Sequence, residues 1–229
     1  MFDSPAVSRP SDLYPELLEQ SMTDAAYEAM SRAKRQAESG NPEGAVETLE
    51  SYLKTDPHNT KPRLLLADII VHRLGDIKYG LMQLDVILDL EPDNVDALKA
   101  MVTVLSQDKK NNKETDAMFR RLVEAEPSAA VYNEYAKFMR HQMTDFKRSQ
   151  ELYEKAIALD PSKYDYHLNY SVLLLNDIRD YEKARVELET LLEMRPGDAM
   201  VKRNYDKLMR EKFDKDGNLK KGMFGRLRR

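Results

Sequence analysis

The last sixteen residues, 214–229, gather six basic side chains against two acidic ones. Lys215, Lys220, Lys221, Arg226, Arg228 and Arg229 are interleaved with Leu219, Met223, Phe224 and Leu227. Cations mixed with apolar and aromatic groups suit docking on RNA, on an anionic membrane surface or on an acidic partner. The contact is expected from Lys220, Lys221, Phe224, Arg226, Arg228 and Arg229. The same composition also fits a solubilising end, or a segment that folds back onto the acidic first part of the chain. Elsewhere the reactive groups are scattered. His58, His72, His141 and His167 fall in no metal-binding or catalytic pattern and read as surface or inter-helix residues. There is no cysteine, hence no thiolate ligand, disulfide or cysteine nucleophile. No glycine-rich phosphate loop occurs either. The stretch Asp214-Lys215-Asp216-Gly217-Asn218 superficially matches a calcium loop, but its glycine comes too early and Gly225 stands where a bidentate glutamate is needed. It reads as a polar turn. No catalytic residue, metal site, cofactor or small-molecule substrate is expected, and the chain reads as a non-enzyme.

Charge sharpens this. Residues 1–100 carry 10 basic and 18 acidic residues, and residues 101–213 carry 20 of each. That balance disfavours a basic stripe for nucleic acid along the body of the chain. Most carboxylates sit one helical turn from a cation, as in Glu151 and Lys155, and read as solvated surface. Residues 1–20 lack a basic region followed by an apolar run, so no secretory signal is expected. The greasiest segment, Leu64–Val71, is interrupted by Asp68 and is too short to span a bilayer. A soluble, cytoplasmic protein is the expectation.

The elements that hold these groups follow from a period. Pro57, Pro92, Pro127, Pro161 and Pro196 recur every 34 or 35 residues, each closing a helix-forming stretch. A fixed period of this size marks stacked repeats, each burying its apolar face on a neighbour. In the first copy Gly40-Asn41-Pro42 makes a turn, with Asn41 as cap and Pro42 at the first helical position. Ala33 and Ala45 mark the close approach of two helices, and Val46, Leu49 and Leu53 form an amphipathic stripe. The second copy turns at Gly75-Asp76 and is expected to bury Ile77, Leu81, Leu84 and Leu88. The fourth places Ser149, Tyr153, Ala156 and Leu159 on one stripe, and the fifth Tyr181, Ala184, Leu188, Leu191 and Leu192. Ser128 and Ser162 are expected to start helices, the latter with Asp165 in a capping-box-like pair. Asp198 starts a terminal helix with Met200, Tyr205 and Leu208 facing inward.

These residues resemble the tetratricopeptide repeat family, over about residues 24–196. The resemblance rests on the closing prolines, the small residues Ala45 and Ala184, and the turn at Gly75-Asp76. Gly80, Thr115 and Ser149 replace the small alanine in repeats two, three and four. Repeat three carries KKNNKE in place of a turn glycine, and several first helices run one residue long, as at Leu66-Ala67. Tyr132, Tyr135 and Phe138 also look like the related half-repeats of RNA-processing assemblies.

The resemblance implies an all-α, right-handed superhelical solenoid of five helix-turn-helix repeats plus a capping helix. Three segments are expected: a flexible start at 1–23, the array at 24–213 and a basic flexible tail at 214–229. It also implies a non-catalytic interaction scaffold or adaptor that binds a peptide segment of a partner protein in its concave groove. Some members grip terminal carboxylates with a clamp of a lysine and an asparagine one turn apart, an asparagine in the next repeat and two cations in the third. On that pattern Asn133, Lys137, Asn169, Arg203 and Lys207 are the candidate peptide-binding residues. Asn133 and Lys137 stand in reversed order, and Ala199 occupies the place of one expected cation. A co-chaperone-like carboxylate-clamp binder, and an RNA- or membrane-associated assembly factor working through the tail, are the alternatives.

Overall fold

A computed structural model describes residues 15–220, with side chains from residue 25 onward. The described residues form an all-α repeat array without strands. Contacts divide the chain into two compact units, Met1–Gln107 and Asp108–Arg229.

Unit 1 holds α1 (Pro15–Glu38), α2 (Pro42–Leu53), α3 (Thr60–Ile69), α4 (Ile77–Leu90) and α5 (Val95–Leu105). Each start has a local cause. The Asn41 side chain accepts from the Gly44 N–H, Asp76 from Tyr79 and Asn94 from Ala97, each satisfying a donor that the first turn leaves orphaned. Ala33 and Ala45 are fully buried where α1 meets α2, and Leu49, Leu66 and Ile70 complete that core. Gly80 stands in place of the small alanine where Val71, in the turn that ends α3, presses on α4. A Cβ added there would lie 2.3 Å from Val71 Cγ2.

Unit 2 holds α6 (Asn112–Ala125), α7 (Ala129–Phe138), α8 (Phe146–Leu159), α9 (Tyr164–Leu173), α10 (Tyr181–Met194) and α11 (Ala199–Lys212). Its core runs through Phe119, Leu122, Tyr135, Tyr153, Leu173, Leu188 and Leu191. Asp116 is buried and accepts from Tyr135 and Arg120, while the Phe119 ring stacks on Tyr135 at 4.7 Å between centroids. Without a turn glycine, KKNNKE enters α6 through a short 3-10 turn, Lys109–Asn111, where the Asp108 side chain accepts from the Lys110 N–H.

The extra residue in the first helices has a specific structural form. α3, α7 and α9 each end in a five-residue π turn: Ile70–Leu74, Met139–Met143 and Leu174–Ile178. One inserted residue widens the turn, and the chain then leaves through a left-handed residue: Gly75, Thr144 or Arg179. The single 34-residue interval also has a cause. α7 starts two residues after Pro127, whereas α3, α5, α9 and α11 start three residues after their prolines.

Several expectations need correction. Ile77 and Leu159 are 38% and 56% exposed, because they occupy the first and last positions of α4 and α8, at open helix ends. Met200 is 46% exposed; Val201, one residue on, carries the buried stripe with Leu208. Ser162 caps nothing: its hydroxyl bonds to Asp160 at 2.8 Å, and α9 begins one residue later. The boundary expected between residues 23 and 24 falls inside α1, which runs back through PELLEQ to Pro15. The boundary at 213/214 also cuts ordered structure. Phe213 pairs with Leu219 in an isolated antiparallel bridge, and Asp214 accepts from the N–H groups of Asp216 and Asn218 in a polar turn. Arg185 of α10 donates to the Gly217 carbonyl at 3.0 Å and covers the Phe213 ring, which fixes that turn.

Candidate functional site

In unit 1, the first helices of successive hairpins line a groove of about 630 Å³. Its floor is carbon: Leu64, Leu65 and Val71 of the second hairpin, Met30 from α1, and Ala100 and Val104 from α5. Met30, Leu64, Leu65 and Ala100 are only partly buried there, whereas Val71 and Val104 are buried. Each of the three helices also sets one lysine on the lining: Lys34, Lys61 and Lys99. Asp68 and Asp96 line it as well, and Asp68 lies 3.6 Å from His72. Tyr27, one turn before Met30, is 73% exposed. The arrangement can take apolar side chains of a chain lying across the helices, with cations within reach of flanking carboxylates. Sequence reading did not single out this groove. A signal was available: Leu64 and Leu65 are apolar positions on α3 beside the buried Leu66 and Ile69.

In unit 2 the inner face is polar. Ala130, Asn133, Glu134 and Lys137 of α7 meet Lys163, Asp165, Tyr166, Leu168 and Asn169 around a groove of about 370 Å³. Three of the five candidate residues therefore come together: Asn133, Lys137 and Asn169. Asn169 Nδ2 donates to Asn133 Oδ1 at 3.1 Å, and Asn133 Nδ2 donates to Glu134 at 3.2 Å. Lys137 Nζ is engaged by both Glu134 carboxylate oxygens, at 3.0 and 2.8 Å. The side chains the clamp pattern needs free are thus occupied by one another, and two carboxylates share the groove with two lysines. Tyr166 has its pKa raised, chiefly by burial, and stays a neutral phenol.

The other two candidates are placed elsewhere. Arg203 donates from Nε to its own helix at Ala199 O, 3.2 Å. Lys207 lines a smaller hollow of about 190 Å³ with Leu175, Asn176, Tyr181 and Asn204. Of the tail contacts, Lys220 is bound: its Nζ donates to Arg210 O, closing the end of α11. Lys221, Phe224, Arg226, Arg228 and Arg229 lie outside the described residues. Among the described residues no three His, Asp or Glu side chains are grouped to hold a metal, and no helix is long and apolar enough to cross a membrane.

Residues 141–199, which span most of the last two hairpins, match the family model for the tetratricopeptide repeat. The repeat geometry agrees with it: paired helices, a closing proline, and a small residue at each close approach. Residues 141–199 carry tetratricopeptide repeats, and the described helices share that fold. Solved structures of the same fold include MamA, residue 41 to the end, from Desulfovibrio magneticus RS-1. The two are 21% identical with a TM-score of 0.62, over 78% of this chain and 99% of that one. PilF of Pseudomonas aeruginosa is 18% identical with a TM-score of 0.62, over 83% of this chain and 85% of that one. YrrB, titled a TPR protein with an unusual peptide-binding site, is 16% identical with a TM-score of 0.58, over 72% and 84%. No curated protein matches the chain in sequence. Tetratricopeptide repeats are generally non-catalytic interaction modules.

Proposed function

We propose that this protein holds a peptide segment of a partner through the inner face of unit 1. The observation that carries the reading is the groove there: three first helices supply a carbon floor and one lysine each. An exposed apolar trough of this size gains free energy when covered, at roughly 25 cal/mol per Å² of apolar surface removed from water. The fold neighbour YrrB, described as having a peptide-binding site, adds support by analogy of fold. The test is selection from a random peptide library on the intact protein. Peptides with two or more apolar anchors should emerge, and Leu65→Glu should weaken them by at least about tenfold, the equivalent of 1.4 kcal/mol. Selected peptides that bind the Leu65→Glu protein unchanged would end this reading.

A second reading keeps the carboxylate grip in unit 2, because Asn133, Lys137 and Asn169 line one groove. An incoming carboxylate would have to displace Glu134 from Lys137. Binding of an acidic C-terminal peptide that is lost in Lys137→Ala with Arg203→Ala, but kept in Leu65→Glu, would favour it over the first.

A further inference from the structure

His167 is buried in the wall behind the unit 2 groove, at 5% exposure. Both of its ring nitrogens face oxygen. Nδ1 lies 2.7 Å from Glu187 Oε2 on α10, and Nε2 lies 3.0 Å from the carbonyl of Pro161. A carbonyl oxygen only accepts, and an ionised carboxylate only accepts. A neutral imidazole has a single N–H, so it can satisfy one of these oxygens while its lone pair faces the other. The imidazolium satisfies both.

The second repeat shows what this position is for. Arg63 donates to the carbonyl of Pro57 at 2.8 Å and to Gln83 Oε1 at 2.7 Å. The sequence separations are the same six and twenty residues as for His167. In both repeats a side chain of the first helix ties the closing proline to the second helix. In repeat two the tie is a guanidinium, which keeps its charge at all ordinary pH; in repeat five it is an imidazole.

We propose that His167 is a protonation-sensitive staple that holds α9 to α10 and to the Pro161 turn when charged, and releases one of those bonds when neutral. The same helix presents Tyr166, Leu168 and Asn169 to the unit 2 groove, so the staple sets the firmness of that wall. The inference does not depend on what the groove binds. The other charged groups around the pair are few. Glu154 of α8 accepts from Tyr170 at 2.6 Å and from Lys183 at 2.9 Å, Lys183 stands one turn before Glu187 on α10, and Asp160 in the turn is engaged by Ser162. Burial raises the Glu187 carboxyl pKa, against the opposing pull of His167, so protonation of that carboxyl limits the staple on the acid side. On the other side the sign is clear. An imidazolium that gains both acceptors only on folding adds stability while it is charged, and that contribution is lost where the ring is neutral.

The experiment is thermal unfolding of the full chain against pH, for the native protein and for His167→Arg, which copies the tie of repeat two. Relative to the variant, the native protein should lose about 2–4 °C of Tm between roughly pH 6 and pH 8. Superimposable profiles would overturn the proposal. Should His167→Arg fail to fold, nitrogen NMR of the native imidazole decides. Two protonated ring nitrogens at pH 6 support the staple, and a neutral tautomer there refutes it.

Discussion

Unit 1 leaves its π turn through Gly75 at φ 74°, whereas unit 2 leaves its two π turns through Thr144 at φ 52° and Arg179 at φ 63°. The close approach between helices is made by Ala45 and Gly80 in one unit and by Thr115, Ser149 and Ala184 in the other. The inner face is a carbon trough in the first and an asparagine-lysine-carboxylate groove in the second. The repeat therefore prescribes a backbone path and a limit on volume at a few buried places. It leaves open which residue meets each demand, and leaves the inner face free to carry different chemistry. Substitutions at the buried places test how strict each demand is.

The largest expected effect is at the close approach. Gly80→Leu puts a branched side chain where Val71 Cγ2 already stands 2.3 Å from the first added carbon. The Ala67 carbonyl is 3.4 Å away, so the helices must separate. Overpacking of this kind costs about 3 kcal/mol, and denaturant titration followed by circular dichroism should show it. Gly80→Ala should also destabilise, though by less, since Val71 is a side chain and can turn. A Gly80→Leu protein as stable as the native one would mean that α3 and α4 do not pack this tightly.

The second effect has the opposite sign. Thr144 is β-branched and held in the left-handed region, where its Cβ is crowded and where Gly75 stands in unit 1 without strain. Its hydroxyl bonds to its own neighbour, the Met143 carbonyl, at 2.7 Å. Thr144→Gly should stabilise unit 2 by about 1 kcal/mol. The reciprocal Gly75→Thr should destabilise unit 1 by a similar amount. If both substitutions lower stability, the two turns are not equivalent.

What was legible in the chain divides along the same line. The prolines, the small residues and the leucine stripes announce the repeat because they answer demands that recur in every copy: a helix stop, a close approach, a buried face. The extra residue near Leu66-Ala67 showed as a mismatch of period, but its resolution into a π turn depends on hydrogen bonding that spacing alone cannot convey. The grooves were hard to read for a different reason. Asn133, Lys137 and Asn169 stand out as polar residues one repeat apart, yet their engagement with Glu134 and with each other depends on side-chain directions. Leu64, Leu65 and Met30 look like ordinary core positions, and only the path of the neighbouring helices leaves them partly open. The pairing of His167 with Glu187 is hidden similarly, since twenty residues separate two groups that the hairpin brings to 2.7 Å.

The smallest expected effect isolates one hydrogen bond. Ser149 is fully buried and donates from Oγ across the hairpin to the Ala136 carbonyl at 2.8 Å. Ala45 and Ala184 fill the corresponding places without such a bond, so alanine fits the available volume. The carbonyl keeps a second donor, the backbone N–H of Met139, and is not orphaned when the hydroxyl is removed. Ser149→Ala therefore loses the bond with almost no cavity and no stranded polar group, and should cost about 1 kcal/mol. Thr115 differs in that its hydroxyl bonds within its own helix, to Asn111 O at 3.0 Å. Thr115→Ser keeps a hydroxyl able to make that bond, so its cost should be that of the lost methyl, about 1 kcal/mol for the cavity. The two costs would look alike in a melting curve. They separate in hydrogen exchange: Ser149→Ala should loosen the contact between α7 and α8, whereas Thr115→Ser should leave that pair protected as before. Equal loss of protection between α7 and α8 in both variants would mean that the Ser149 bond does not tie those two helices together.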